Sequence, residues 1–577
     1  MSPRPGLPTP PPIGDEERKE YIDSIVPLVA GEPVCCPETI RYERKMGDTE
    51  LSYYLPSRQA GVNDMYLHIG FNAPEHLVRR ARVCTVWAIL RLRHPLLAAR
   101  AEMHDYDDVR FVYDAPSSPE NAFSGADENL DFRVQGKDEL IDTYLNGPRT
   151  LSNTRLSYLV VSQPANASMP TPPPTPSPSR KNSQFDTADD ITPSSLERQY
   201  ELMLCAMHFL GDGMALHQTA NHFFQLLGGS KTDDELTAQL AEEWQDRWKL
   251  TFSSTSVSPA TNVIPRSLED NLPSSSDSRF KRAAEQVDFH LSQASLVGGQ
   301  AFPRCKHPER HTIVPTVSYP PELTKAMLRK CKEHGVSISA ALFAVCNVAW
   351  ARLGRTSSEL PMMMYSALNL RPYFTKSKSL EEEKEKLLWD SYWFLAIAYF
   401  NVVLPSLLPT GAEAQERMFW HRAREAKTQS AKAVKNKMIV SRTREMAKER
   451  GVRARAWGRE DDEKENGTWV PPPKTSDDAP SVKKILPARA PASSAALMGL
   501  SLLGNLDGMY AHATFPGIKL HTLTTGSRQR HGAMLLFGYT FAGKLWVSLG
   551  YDENGFEEGV VDGFWKELVR CVEEFLG

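Results

Sequence analysis

The stretch Met207-His208-Phe209-Leu210-Gly211-Asp212-Gly213-Met214 carries the residue types best suited to chemistry in this chain. Histidine titrates near working pH, so an imidazole at the end of a structural element can take a proton from an acceptor hydroxyl or amine. Asp212 stands four residues on. From there a short loop can fold back, and the carboxylate can hold the local backbone or a distant arginine. Gly211 and Gly213 are expected to allow a tight turn and the close approach of a ligand. Taken alone, H-x-x-x-D-G is open to two accounts, a structural histidine at a strand end or a general base.

The elements around it are those that present a residue at an element end. Residues 200–207 (YELMLCAM) form an apolar run that predicts a strand, and 214–227 predicts the helix after it. Upstream, apolar residues at helical spacing predict a helix over 75–93, which Pro95 should stop. Strands are expected at 98–103, 109–113 and 156–162, and a second helix at 232–248. Further on come helices over 321–334 and 339–353 and strands over 361–370 and 397–404. A charged helical stretch spans 411–450, followed by strands at 495–503, 531–541 and 545–551 and a closing helix over 556–576. Residues 1–15 and 164–196 are Pro-rich and of low complexity, and 451–492 is charged, Pro-rich and without periodicity, so all three are expected to be disordered. A Ser/Pro/Asp-rich connector over 256–280 divides a first lobe, 16–255, from a second, 281–577. The expected fold is mixed α/β in two lobes.

Composition narrows the function classes. The 577 residues are 41% hydrophobic and 24% charged with a net charge of -4, a globular balance that does not favour a nucleic-acid partner. No run reaches the roughly 18–20 apolar residues of a membrane span, and the eight cysteines are scattered without a CxxC pair. A reduced, cytoplasmic, monomeric protein is the expectation. Gly538-x4-Gly543-Lys544 imitates a P-loop, but Leu545 stands where Ser or Thr is required and the segment alternates like a hairpin. There is no G-x-S-x-G elbow, and His217 and His222 are off one helical face, so neither a hydrolase nor a metal site is expected. The basic stretch 421–455 is either a solvated face or an attractor for coenzyme A phosphates.

Four motifs give the histidine a context: RHPLLAAR (93–100), MHFLGDGMA (207–215), AYFNVVLP (398–405) and the strand pair GAMLLFGYTFAGKLWVSLGYDE (532–553). In type and order they resemble the acyl-CoA-dependent acyltransferase superfamily, which includes chloramphenicol acetyltransferase, fungal O-acetyltransferases, plant BAHD enzymes and peptide-synthetase condensation domains. The resemblance covers most of the chain outside its low-complexity segments. It departs in two places. Met207 occupies the position where condensation domains carry a first histidine, and Leu536-Phe537-Gly538-Tyr539-Thr540 stands where BAHD enzymes have DFGWG. The fungal O-acetyltransferase branch is nearer in character.

The resemblance implies two chloramphenicol-acetyltransferase-like lobes, each a mixed sheet with flanking helices, and an active-site tunnel between them. It implies His208 as general base on the acceptor, Asp212 in a structural salt bridge for which Arg371 is the candidate partner, and Gly213 keeping the tunnel open. Ser366, Asn369, Asn401 and Asn505, at ends of expected second-lobe strands, are candidate oxyanion donors or tunnel residues. Acyl-CoA, acetyl-CoA first, would be a co-substrate rather than a bound cofactor, and a small-molecule alcohol the acceptor. Two alternatives are a stand-alone condensation-type amide or ester synthase fed by a carrier protein, and a non-catalytic binding protein on the same fold.

Overall fold

The apolar run ahead of His208 forms the middle of a sheet. The structure is a computed structural model that describes residues 40–164, 197–249, 252, 263–274, 278–354, 359–374, 390–471 and 495–577. Of the stretches expected to be disordered, 1–15, 164–196 and 451–492, residues 1–15, 165–196 and 472–492 lie outside the described residues. In chain order the strands are β1 (Arg41–Lys45), β2 (Asp64–Pro74), β3 (Arg100–Met103), β4 (Val109–Asp114), β5 (Leu130–Arg133), β6 (Ser157–Ser162) and β7 (Glu197–Met207). They continue with β8 (Thr312–Ile313), β9 (Thr316–Tyr319), β10 (Met362–Asn369), β11 (Ile397–Leu404), β12 (Met498–Asn505), β13 (Lys519–Ser527), β14 (Met534–Phe541) and β15 (Lys544–Asp552). The helices that matter for the site are α1 (Asp48–Ser57), α2 (Arg80–Arg93), α3 (Gly213–Leu227), α4 (Ile338–Arg352), α5 (Ala412–Val434), α6 (Ile439–Glu465) and α7 (Val560–Leu576).

The first lobe is a five-stranded sheet in the order β13-β2-β7-β6-β5, beside a small β1-β4-β3 sheet. β7 pairs with β2 on one side and β6 on the other, and its last eight residues are all buried, so it reads as a continuous apolar run rather than an alternating one. The second lobe is a sheet in the order β11-β10-β12-β14-β15-β8, with β9 also on β15. β10, β12 and β14 run parallel and the flanking pairs antiparallel. Helix α4 is apolar on nearly every side because it is covered by the sheet, α5 and α7, and Ser337 caps it by accepting the Ala340 N–H at 3.2 Å.

Two expectations about the lobes need correction. Lys519–Ser527, assigned to the second lobe, is β13 and pairs along its length with β2 in the first lobe's sheet. The stretch from 451, expected to be disordered, is helical through Glu465. The buried face of α6 is Thr443, Ala447, Gly451, Ala454 and Gly458, a row of small residues that shows no apolar periodicity. Small side chains let α6 lie close on α1, where Arg58 grips Asp462 at 2.8 and 3.0 Å and Arg455 reaches Asp48 at 2.8 Å. The connector is also more than a linker: Leu268 and Leu272 are buried, and Glu269 accepts both the backbone N–H and the hydroxyl of Thr49. Among the described residues no single helix is long and apolar enough to cross a membrane.

Candidate active site

Met207 ends β7 opposite Asp64, so His208 leaves the sheet at a point fixed from both sides. A short 3-10 turn, His208–Leu210, follows, and Asp212 then caps α3 with its Oδ1 accepting the Ala215 N–H at 3.2 Å. His208 Nδ1 lies 3.1 Å from the Gly211 carbonyl oxygen. A carbonyl can only accept, so Nδ1 carries the proton of the neutral ring and Nε2 keeps its lone pair. Burial pushes the His208 pKa below the usual imidazole value, Arg450 adds to that push, and Asp212 and the Gly211 carbonyl oppose it. The imidazole is therefore neutral and basic at neutral pH.

Asp212 is almost wholly buried and its Oδ2 accepts twice, from Arg371 Nη1 at 2.9 Å and from the Ala396 N–H at 3.1 Å. Arg371 also donates to the carbonyls of Tyr392 and Phe394 at 3.1 and 3.3 Å and lies over the Phe394 ring. The pair thus fastens residues 391–396 against the histidine loop. The same segment is held from α3, where Thr219 Oγ1 accepts the Trp393 indole N–H at 2.6 Å. It is held again from the end of α2, where His94 contacts the Ser391 hydroxyl at 3.0 Å and packs on Tyr392. His217 and His222 each contact a tyrosine hydroxyl, Tyr510 at 2.9 Å and Tyr392 at 3.0 Å, and burial lowers the His217 pKa to about 3.

His208, Asp212, Gly213, Arg371, Asn369 and Asn401 all line one cavity of about 1060 Å³ between the lobes, large enough for a sizeable ligand. β10 contributes Met363, Tyr365, Ala367 and Asn369, and β11 contributes Ile397, Tyr399 and Asn401, the alternate residues of each strand. Ser366 falls on the other face of β10, buried away from the cavity, so it is not placed to bind an oxyanion there. Asn505 lies past the irregularity in β12, where its Oδ1 accepts the Thr540 hydroxyl at 3.3 Å, and it too is off the cavity wall. Asn369 Oδ1 accepts the Arg371 backbone N–H at 3.1 Å, which turns its amide into part of the wall.

Two residues that sequence reasoning missed complete the surroundings of the base. Tyr53, on α1, stacks on the His208 ring with centroids 4.3 Å apart and planes 26° from parallel. Its hydroxyl is hydrogen-bonded to that of Tyr399, and burial raises its pKa well above that of a free phenol, so it stays protonated. Arg450, on α6, lies over both rings, 5.1 Å from the Tyr53 centroid and 5.0 Å from that of Tyr399. Cation–π contacts of this kind contribute about 0.5–2 kcal/mol each. Burial opposes the charge on Arg450, but its interactions with Tyr53 and Tyr399 outweigh that cost and raise its pKa, so the half-buried guanidinium stays charged. Neither residue carries a local motif; Tyr53 reaches His208 from α1, and Arg450 reaches Tyr53 only because α6 packs on α1.

The two glycines differ in how tightly the protein packs against them. Neither has a positive φ; Gly211 is extended at φ -178. A methyl group on Gly211 would meet the Trp393 ring at 2.9 Å, whereas one on Gly213 would meet Leu503 at an ordinary 3.5 Å. Gly211 is needed for packing, and Gly213 is not needed for space against its neighbours. In chemical denaturation Gly211→Ala is expected to cost about 1–3 kcal/mol through overpacking. Gly213→Ala, at the first turn of α3, should change stability by less than about 1 kcal/mol.

With the two sheets, the crossing strand β13 and the histidine on the inter-lobe cavity in place, the fold is that of the chloramphenicol-acetyltransferase and condensation-domain class. Among solved structures, the chain is similar to TRI3 trichothecene 15-O-acetyltransferase from Fusarium sporotrichioides, with a TM-score of 0.61 and 11% identity over 93% of this chain and 95% of that one. It is also similar to the epimerization domain from the third module of tyrocidine synthetase B, with a TM-score of 0.51 and 11% identity over 94% of this chain and 100% of that one. No family model and no curated protein matches the chain.

Proposed function

We propose that the chain is an acyl-CoA-dependent O-acyltransferase, acetyl-CoA being the first donor to try, that acylates a hydroxyl of a small molecule such as a secondary metabolite, in the cytoplasm and as a monomer. The observation that carries this is the state of His208: neutral, with its proton fixed on Nδ1 by the Gly211 carbonyl, on the wall of the large inter-lobe cavity. Nε2 takes the proton of the acceptor hydroxyl as its oxygen attacks the thioester carbonyl carbon. The tetrahedral intermediate then collapses with cleavage of the C–S bond, and the imidazolium returns the proton to the departing thiolate. Asn369 and Asn401 are the remaining oxyanion candidates, Asn401 lying opposite Tyr365 in the β10–β11 pair. Asp212 and Arg371 hold the loop and take no proton. No metal is needed and no covalent acyl-enzyme forms.

The test is to incubate the protein with a panel of acyl-CoAs and alcohols and follow free thiol and acylated product by mass. Saturation by free acyl-CoA supports this function. Dependence on a phosphopantetheinyl carrier would favour a condensation-type synthase, a second reading that the likeness to an epimerization domain keeps in play. Absence of transfer with every donor would favour a binding protein. The protonation state also fixes a pH dependence. The base works unprotonated, so kcat/KM should fall as pH drops through the His208 pKa, with that acid limb below 6.5. An acid limb well above 6.5 would contradict the burial argument.

A further inference from the structure

The arginines of α6 that face away from the cavity are matched to partners. Arg442 pairs with Asp288 at 2.6 and 2.8 Å, Arg455 with Asp48, and Arg444 donates to the carbonyls of Glu269, Leu272 and Pro273. Arg450 and Arg453, on the cavity side of the same helix, have no carboxylate partner among the described residues, nor does Arg530 at the end of the crossing strand. Arg530 lies instead 5.0 Å from the ring centroid of Trp457, the next residue on that helical face. Asp212 is the carboxylate on the wall among the described residues, and Arg371 already neutralises it. The cavity therefore keeps one half-buried unmatched cation among the described residues, Arg450, with the exposed Arg453 and Arg530 extending the positive charge toward solvent. Arg450 faces the rings and hydroxyls of Tyr53 and Tyr399 without a carboxylate counter-ion, and a ligand anion would supply one.

The position of Arg450 narrows what that anion is. Tyr53 touches both Arg450 and His208, so the guanidinium is no farther from the imidazole than two ring contacts end to end. The pantetheine arm of coenzyme A keeps its phosphates far from the thioester sulfur, out of reach of a group this near the base. We propose that the acceptor is a hydroxy acid, its carboxylate bound by Arg450 beside Tyr53 and Tyr399, with Arg453 and Arg530 continuing the positive wall outward. This rests on His208 as the base, because the hydroxyl must then reach the imidazole while the carboxylate reaches Arg450, both of which touch the Tyr53 ring.

Binding tests it without turnover. The full chain is titrated calorimetrically with hydroxybenzoates, hydroxycinnamates and mandelate, each against its own methyl ester. At least one acid should bind tenfold or more tighter than its ester, Arg450→Gln should erase the preference, and Arg450→Lys should keep part of it. The wild-type comparison needs no variant to fold. Equal binding of every acid and ester, no binding of any, or a preference that survives Arg450→Gln would overturn the proposal. Two donor arms separate the other sources of an anion. If Arg450→Gln weakens acetyl-CoA but spares acetyl-pantetheine, the arginine serves the donor's phosphates; if it weakens malonyl-CoA alone, it serves an acyl carboxylate. Either result sinks the hydroxy-acid assignment. Acid-selective binding with no thiol release would instead retain the anion site and sink the transferase.

Discussion

A His208→Ala protein is expected to release thiol from acyl-CoA, in the presence of a working acceptor, about 10²- to 10⁴-fold more slowly than the wild type. The size follows from what the ring does. It is the group on the cavity wall whose free lone pair sits on a neutral, half-buried imidazole with a fixed tautomer, and alanine leaves water in its place. The loss should appear in kcat, with donor binding little changed, because the ring touches the reacting hydroxyl and not the body of the donor. Structure should survive. Asp212 still caps α3 and still holds Arg371 and Ala396, none of which depends on the imidazole. The local loss is the stack on Tyr53. A circular dichroism spectrum and a melting curve close to wild type would separate a chemical defect from a folding one. An unchanged transfer rate would remove His208 from the chemistry.

Asp212→Ala is expected to do the opposite, damaging the scaffold first and the rate through it. The carboxylate accepts from Ala215, Ala396 and Arg371, so its removal uncaps α3, leaves a buried N–H without a partner and leaves the Arg371 charge with only carbonyl oxygens. Loss of an N-cap costs about 1 kcal/mol. Breaking a buried ion pair from one side costs about 3–5 kcal/mol, and the lower end applies because the Arg371 side chain is 22% exposed. A destabilisation of about 3–4 kcal/mol in urea is the expected result. Asp212→Asn keeps an acceptor for the cap and should lose clearly less. In a double-mutant cycle Asp212 and Arg371 should couple by about 2 kcal/mol, whereas additivity would mean that the pair does not hold residues 391–396 in place. If Asp212 did the proton transfer, Asp212→Asn would abolish activity at unchanged stability, which is the outcome that would reverse the two roles.

The sequence was most legible where burial is carried by large apolar side chains. Strand β11 was expected at 397–404 and spans those residues, and the histidine strand and helix were placed within a few residues of their ends. β13 was missed because KLHTLTTGS alternates weakly and its partner β2 lies at the other end of the chain. α6 was misread because its buried row is threonine, alanine and glycine, which fill a close helix contact without looking hydrophobic. At the site, His208 and Asp212 share one short motif and could be read together. Arg371 could be named only through resemblance, and Tyr53, Trp393 and Arg450 not at all, because their roles exist only once distant segments are packed. The oxyanion candidates separated by strand parity: Asn369 and Asn401 share a face with the cavity, and Ser366 is one residue out of phase.

The crossing strand has a consequence for how the chain comes to be folded. β2 presents an almost wholly buried strand whose outer edge is closed only by β13. During synthesis that edge stays open until the ribosome has passed Ser527, long after the rest of the first sheet has been made. An unpaired apolar edge held open for so long is a template for wrong pairing with another nascent chain. Closing it brings together segments from opposite ends of the polypeptide, an arrangement of high contact order that folds slowly. The two lobes are therefore not separable products: a fragment ending before β13 would carry a complete histidine loop on a sheet that lacks its border, and would be expected to aggregate rather than to work.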